Sequence, residues 1–142
     1  MKLSRRATTA AALTVLALGG TVAATAPASA ATTKAAAASY NGVCGTGYKV
    51  IDSTPVARVG TVYLTWNEST GKNCAVTVRN TTGAKIHMEI ALAALDSGQH
   101  DAVDSGRYTS YAGPVYVNGR GYCVAWTGTI GTASAGDSGH CS

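Results

Sequence analysis

Closely spaced cysteines are missing from this sequence, and their absence argues against a structural zinc site. Such sites draw on paired cysteines or histidines only a few residues apart. The four cysteines are instead widely separated and even in number, which favours two disulfides in a small exported protein. Of the three possible pairings, nearest neighbours close loops of moderate length and hold the glycine-rich end of the chain. We therefore predict the bonds Cys44–Cys74 and Cys123–Cys141.

Charged side chains are also scarce, at 13% of the sequence, which argues against several function classes. Three of the 11 basic residues, Lys2, Arg5 and Arg6, belong to a predicted leader, and the eight others nearly balance seven acidic residues. No basic cluster indicates binding to nucleic acid or to an anionic membrane. Nothing places a second acid opposite Glu89 to form the carboxylate pair of a glycosidase.

The first 30 residues have the three parts of a signal peptide. Basic residues are followed by an apolar stretch over residues 10–24, and Ala28-Ser29-Ala30 is the small-x-small pattern that signal peptidase cleaves. Thr14 and the pair Gly19-Gly20 interrupt the apolar stretch, whereas a membrane anchor needs about 20 uninterrupted apolar residues. We predict that residues 1–30 are a signal peptide.

Two segments follow the predicted leader. Residues 31–39, ATTKAAAAS, are low in complexity and too short for a stable isolated helix, so we predict a disordered arm. Residues 40–142 then form a single β-rich domain of roughly 100 residues, a size at which covalent links matter for stability. No internal repeat divides this domain, and nothing in it indicates a cofactor.

Apolar and polar residues alternate along several short segments of the domain, as they do in half-buried β-strands. Residues 61–66, 74–79 and 86–92 each have this period, and turn-forming residues separate them. We predict that they form three consecutive antiparallel strands. The third lies within residues 84–95, whose alanine-rich end also favours a helix, but its alternating isoleucine and methionine side chains favour a strand.

The remainder of the domain is predicted from its turn residues. Residues 96–106 are polar and indicate a loop, and residues 108–117 and 121–126 are expected to pair across a type I′ turn at Asn118-Gly119. Residues 127–135 are a predicted last strand before the glycine-rich end. Short strands, glycine-rich turns and no long helical period predict an all-β fold, a small antiparallel β-sandwich or barrel stapled by two disulfides.

The run Gly136-Asp137-Ser138-Gly139 is similar to the sequence around the nucleophile of chymotrypsin-like proteases. Only four residues follow Ser138, and neither His87 nor His100 lies in the sequence context of a catalytic base. We therefore interpret the run as a flexible turn before a disulfide and predict that the protein is not an enzyme. His100 and the aspartates that follow it are likewise interpreted as part of a solvated loop, not as a metal site.

Phenylalanine is absent, so seven tyrosines and two tryptophans are the large aromatic side chains. Tyrosine combines a flat apolar face with a polar hydroxyl, which suits stacking on sugar rings, protein contacts or packing in a thin β core. Tyr116 alternates with Val115 and Val117 and is expected to point outward if these valines face the core. The predicted candidate binding surface consists of Tyr108, Tyr111 and Tyr116.

Four runs of the domain are distinctive: YNGVCGTGY at residues 40–48, GTVYL at 60–64, GKNCAVT at 71–77 and YAGPVY at 111–116. Together they resemble the spore-associated protein A family of filamentous, spore-forming actinobacteria. The resemblance covers nearly the whole mature domain. It implies a small secreted protein associated with the surface of spores or aerial hyphae, and it supplies no catalytic residues.

Three functions are compatible with these features. The first is a noncatalytic secreted protein associated with the spore or cell surface, as the resemblance implies. The second is a module that binds cell-wall or other glycans, which the tyrosines favour. The third is a small secreted protease inhibitor, with residues 96–107 as its exposed loop. The expected partners are cell-wall or spore-surface components, with no nucleic acid and no membrane once the leader is removed.

Overall fold

Residues 37–141, the part of the chain that the computed structural model describes, fold into eight β-strands. No helix in this part is long and apolar enough to cross a membrane. The predicted signal peptide and residues 31–36 of the predicted arm lie outside the described residues. The strands are β1 (Lys49–Val56), β2 (Gly60–Asn67), β3 (Lys72–Arg79), β4 (Ile86–Ala94), β5 (Ala102–Tyr108), β6 (Tyr111–Asn118), β7 (Val124–Ile130) and β8 (Ala133–Gly139).

The strands form two four-stranded sheets with a shared core. The first sheet has the order β1-β2-β3-β6 and the second the order β5-β4-β7-β8, and every pairing is antiparallel. The predicted small antiparallel all-β fold is confirmed, and of the two predicted architectures the chain adopts the sandwich. The buried side chains that join the inner faces include Val62, Leu64, Ala75, Met88, Ile90, Leu92 and Trp126.

The hairpin of β2 and β3 confirms the first two predicted strands. Its register pairs Gly60 with Arg79 at one end and Asn67 with Lys72 at the other. Gly71 lies in the turn at φ 66°, a conformation that strains residues with a side chain. The composition of the turn thus fits its geometry.

Both faces of this hairpin are buried, although alternation predicts strands that are only half-buried. Residues 38–48, here called the N-terminal segment, cover the face that points away from the core. The alternation of residue types cannot reveal this cover, because it indicates only which side chains share a face. Side chains at Ala38, Tyr40 and Val43 pack there against Tyr63, Val76 and Val78.

The contacts of the domain begin at Ala38, two residues before the predicted boundary at Tyr40. The Ala38 N–H donates a hydrogen bond to Asn80 Oδ1 at 2.9 Å. The Ala38 carbonyl accepts a hydrogen bond from the Tyr63 hydroxyl. The end of the predicted disordered arm is therefore held against the first sheet.

The third predicted strand exists, but its predicted partner is wrong. Residues 86–94 form β4, which confirms a strand over a helix, with Met88, Ile90 and Leu92 buried. β4 does not continue the hairpin of β2 and β3, since it belongs to the second sheet and pairs with β5 and β7. Alternation gives the faces of a strand but carries no information about which sheet the strand joins.

The prediction of a loop over residues 96–106 is wrong for its second half. β5 begins at Ala102 and pairs along β4, from Leu92 opposite Ala102 to Ile86 opposite Tyr108. Val103, Ser105 and Arg107 are exposed on the outer face of this edge strand, and Asp104 to Arg107 gave it the composition of a loop. The first half of the predicted loop does contain a turn, in which Asp96 and Gly98 have φ values of 57° and 68°.

The predicted hairpin across Asn118-Gly119 is also wrong. β6 lies in the first sheet and β7 in the second, so residues 119–123 cross between sheets. Neither residue of the Asn-Gly pair has the positive φ that a type I′ turn requires. The predicted last strand over residues 127–135 is in fact two strands, since β7 ends at Ile130 and β8 follows a turn containing Gly131 at φ 63°.

Both predicted disulfides are confirmed. Cys44–Cys74 joins the N-terminal segment to β3, and the two residues are buried. Cys123–Cys141 joins the residue before β7 to the residues after β8. Each bond therefore fastens a segment without regular structure to the sandwich.

Candidate functional site

The structure divides the three predicted surface tyrosines between two places. Tyr108 ends β5 and Tyr111 begins β6, and together they line an open cleft of about 400 Å³. The other lining residues are Thr109, Ser110 and Gly113. We call this cleft, residues 108–111 and 113, the tyrosine cleft. Tyr116 does not line it.

An irregular register in β6 keeps Tyr111 and Tyr116 on one face of the first sheet. Tyr116 lies opposite Cys74 and Tyr111 opposite Val78, and both partners belong to the same face of β3. Strict alternation would place residues five apart on opposite faces. The shift in register between Ala75 and Thr77 restores the common face.

Tyr116 contacts the N-terminal segment and helps to hold it in place, although the Tyr116 side chain is 40% exposed. Its hydroxyl donates a hydrogen bond to the Cys44 carbonyl at 3.2 Å, and its ring meets the Tyr48 ring edge-on, with centroids 5.6 Å apart. Partial burial, with a smaller effect of the neighbouring tyrosines, raises the pKa of Tyr116 above its ordinary value of 10.0. Only part of the side chain is therefore available to a ligand.

Asp104 ties the edge of the second sheet to β6 beside the tyrosine cleft. Its Oδ1 accepts a hydrogen bond from the Tyr108 hydroxyl, and its Oδ2 accepts one from the Gly113 N–H, both at 2.6 Å. The bond to Asp104 is the largest cause of a raised pKa at Tyr108. The sequence places Asp104 in a solvated loop, whereas the structure gives it a bridging role.

A second cleft, which the sequence analysis missed, lies at the end of the sandwich where β1, β2 and the chain terminus meet. We call it the end cleft, and its volume is about 270 Å³. Trp66 is the last residue of the alternating segment 61–66, and a tryptophan just before a turn is the signal in the sequence that could have marked this cleft. The lining residues are Ile51, Trp66, Asn73, Gly119, His140 and Cys141.

Trp66 is held from outside the cleft by a charged pair. Its indole Nε1–H donates to Glu68 Oε2 at 2.8 Å, and the Arg120 guanidinium carbon lies 5.4 Å from the centre of the ring system. Arg120 and Glu68 also form an ion pair at 3.1 Å. These contacts fix the orientation of the indole, because a cation near a ring face is attracted to the negative side of its quadrupole.

His140 also lines the end cleft and is held by β1, the edge strand of the first sheet. Its Nε2 lies 2.9 Å from Oδ2 of Asp52 on β1, and its ring centroid lies 5.8 Å from that of Trp126. Cys141, the next residue, is bonded to Cys123. The end of the chain is thus attached to both sheets where it borders the cleft.

Ile51 and Asn73 complete the cleft from β1 and β3. Ile51 is the extra residue of a β-bulge, since Val50 and Asp52 on either side of it pair with consecutive residues of β2. Asn73 is only 3% exposed, and its Nδ2 donates to the Thr65 carbonyl at 3.2 Å. A bulge and a buried amide at one site are features that local sequence patterns do not predict.

Gly119 is required where the chain passes Asn73. A Cβ added at this glycine would lie 1.8 Å from Asn73 Oδ1, far inside contact distance. Residue 119 cannot carry a side chain because Asn73 is buried and held by its own hydrogen bond, so it cannot move aside. The close approach explains a glycine at a position where φ is not positive.

Glu68 is expected to control the surroundings of Trp66 at acidic pH. The hydrogen bond from Trp66, followed by the contacts with Arg120, lowers the pKa of Glu68 below its ordinary value of 4.5. The carboxylate contact is therefore complete above pH 4.5 and is lost as the pH falls through the lowered pKa.

This titration can be followed through the chemical shift of the Trp66 indole N–H. The midpoint should lie below 4.5, and Glu68→Gln should remove the transition. A midpoint at or above 4.5 would contradict the proposed contact.

The protease-like run around Ser138 lies in a strand and not in the predicted turn. Residues 136–139 belong to β8, where Ser138 pairs with Ala125 and Asp137 with Trp126. Within residues 37–141, no group of three or more histidine, cysteine or acidic residues could hold a metal ion. The resemblance to a nucleophile sequence therefore does not extend to its structural context.

Comparison with known proteins provides a clear relative. The chain is 52% identical over 119 residues to spore-associated protein A from Streptomyces coelicolor. The aligned region covers 84% of this chain and 77% of that protein. No protein-family model matches the chain, and no solved structure matches it.

Proposed function

Because the chain belongs to the spore-associated protein A family, we propose that it is an exported, noncatalytic protein of the spore or cell surface. The observation that carries this proposal is the 52% identity, over most of the chain, to a protein named for its association with spores. Identity of this level over a domain of this size supports a shared fold and a shared location.

Export is supported by the N-terminal sequence and by the cysteine chemistry. Residues 1–30 have the composition of a signal peptide, with Ala28-Ser29-Ala30 as its cleavage site. All four cysteines are paired. Disulfides persist in oxidising compartments, so they fit an extracellular or surface location.

A noncatalytic role is supported by the way in which the chemically capable side chains are engaged. Nε2 of His140 is bonded to Asp52, and no serine or cysteine side chain of residues 37–141 hydrogen bonds to its ring. Asp104 accepts bonds from Tyr108 and from a backbone N–H. Nucleophilic catalysis requires a nucleophile within hydrogen-bonding reach of its base.

Rebinding to spores tests the proposal. The oxidised protein from residue 31 to residue 142 is added to spores of a strain that lacks the gene, and the bound amount is measured against concentration. We expect saturable binding with a Kd of about 1 μM, typical of a specific but reversible contact. Uptake that rises linearly without saturation on both spores and vegetative cells would contradict the proposal.

Glycan binding is a second candidate function, and the tyrosine cleft is the observation that favours it. Two tyrosines and two hydroxyl side chains, Thr109 and Ser110, line this cleft. Aromatic faces combined with hydroxyl groups suit the alternating apolar and polar faces of a sugar. Tyr111 is 37% exposed, and among residues 37–141 its side chain forms no hydrogen bond or ring contact like those of Tyr116.

Alanine variants of Tyr111 and Tyr116 test this second candidate. Tyr111→Ala should weaken retention on isolated wall glycan about tenfold and leave the thermal midpoint nearly unchanged. Tyr116→Ala should lower the thermal midpoint more, because it removes the brace on the N-terminal segment. Equal retention of Tyr111→Ala and the parent protein would remove the tyrosine cleft from consideration.

The structure gives little support to the third function, protease inhibition. Residues 102–107 of the proposed inhibitory loop belong to β5 and are paired with β4. Only residues 96–101 remain as an exposed loop. No specific observation therefore favours an inhibitor over a surface protein.

A further inference from the structure

We propose that the end cleft binds one neutral pyranose unit of a surface saccharide. The inference rests on the proposed surface location and adds a ligand class and a second site, separate from the tyrosine cleft. The cleft volume of about 270 Å³ is slightly below the range of small-molecule sites, which begins at about 300 Å³. A site of this size accommodates one sugar ring and leaves the rest of a longer chain in solvent.

The apolar wall of the end cleft suits the C–H face of a sugar. Trp66 and Ile51 both line the cleft, and Ile51 is brought there by the bulge in β1. Arg120 contacts the indole but does not line the cleft, so it leaves the inner part of the ring system available. Since Glu68 and Arg120 already fix the indole, a ligand that stacks on it loses little of its binding energy to ordering the side chain.

The polar wall supplies an acceptor in a fixed position. The amide group of Asn73 is nine-tenths buried or more, and its Nδ2 is committed to the Thr65 carbonyl. Among the described residues, none donates a hydrogen bond to Asn73 Oδ1. A hydroxyl or an acetamido N–H of a sugar can donate a hydrogen bond to this oxygen.

The charges around the cleft favour a neutral ligand. None of its six lining residues is an aspartate, glutamate, lysine or arginine. The two polar pairs at its border, the ion pair of Glu68 with Arg120 and the hydrogen bond between Asp52 and His140, are each internal to the protein. An anion or a cation would have to compete with these pairs, whereas a neutral ring with hydroxyl groups need not.

A nuclear magnetic resonance titration of the oxidised protein tests the inference. The probes are cellotetraose, maltotetraose and the tetramer of β-linked N-acetylglucosamine. The two tryptophans give separate indole N–H signals, and Trp126 is buried and bonded to Thr54. We expect at least one probe to move the Trp66 signal saturably, with a Kd of about 1 mM or lower, and to move the Trp126 signal less.

Four variants, one of them a control, test the assignment of binding to the end cleft. Trp66→Ala should weaken binding of the active probe at least about tenfold, and His140→Ala, which alters the exposed wall, should weaken it about threefold. Trp66→Phe retains an aromatic ring and should keep most of the affinity if Trp66→Ala does not fold. Val103→Ala changes an exposed apolar side chain on β5 that lines neither cleft, so it is the matched control and should stay within about twofold of the parent.

Three results would overturn the inference. These are no movement of the Trp66 signal with any of the probes, full affinity in Trp66→Ala, and shifts confined to Thr109 and Tyr111. The last would transfer glycan binding to the tyrosine cleft. Saccharide binding in the end cleft by a protein that does not rebind to spores would instead refute the proposed function and leave this inference standing.

Discussion

Replacing Trp126 with alanine is expected to lower the free energy of unfolding by about 3–5 kcal/mol. Trp126 is 2% exposed and belongs to the core between the two sheets. Its Nε1–H also donates to Thr54 Oγ1 on β1 at 3.0 Å, so one side chain joins β7 to the opposite sheet. The variant loses the apolar contacts, leaves a cavity and removes the hydrogen bond to Thr54.

Denaturant unfolding monitored by circular dichroism measures this loss. A small domain has a total stability of about 5–15 kcal/mol, so Trp126→Ala is expected to be marginal. Trp126→Phe keeps most of the volume and should lose only about 1–2 kcal/mol, which keeps the prediction measurable if the alanine variant does not fold. A loss below about 1 kcal/mol in Trp126→Ala would show that this side chain does not join the sheets as described.

Removing the Cys44–Cys74 disulfide is expected to lower the free energy of unfolding by about 3–4 kcal/mol in the Cys44→Ala/Cys74→Ala variant. The bond closes a loop with a sequence separation of 30 and holds the N-terminal segment over the outer face of the first sheet. Without it the unfolded chain gains conformational freedom, and Val76 and Val78 lose part of their cover.

Hydrogen exchange and thermal unfolding distinguish this effect from a general loss of stability. The amides of the N-terminal segment should lose protection first in the Cys44→Ala/Cys74→Ala variant. Cys123→Ala/Cys141→Ala is the matched control, because it opens a loop of separation 18 at the other end of the chain and should leave that segment protected. Unchanged protection of the N-terminal segment without Cys44–Cys74 would mean that packing alone holds it.

The correct predictions from the sequence concern features that depend on residues close together along the chain. Alternation along β2, β3 and β4 follows from burial of one face against the core, so the inward residues of these strands could be read directly. The disulfide pairing followed from the spacing of cysteines along the chain. Both inferences need no knowledge of how distant segments meet.

The errors arose where distant segments decide the structure. β5 is a polar edge strand recognised only through its pairing with β4, and the links after β3 and β6 cross between sheets where hairpins are expected. The end cleft is missed for the same reason. Trp66, Gly119 and His140 are far apart in sequence and come together only because the strand order brings their ends to one place.

Measuring where the native chain is found tests whether it is an exported surface protein. Intact spores, vegetative cells and culture medium of the producing organism are separated, and the chain is quantified in each by mass spectrometry, with brief protease treatment of intact spores to release surface proteins. We expect most of the protein to be recovered from the spore surface, beginning at residue 31 and with both disulfides formed. Recovery mainly from the interior of vegetative cells, with residues 1–30 still attached and the cysteines reduced, would contradict it.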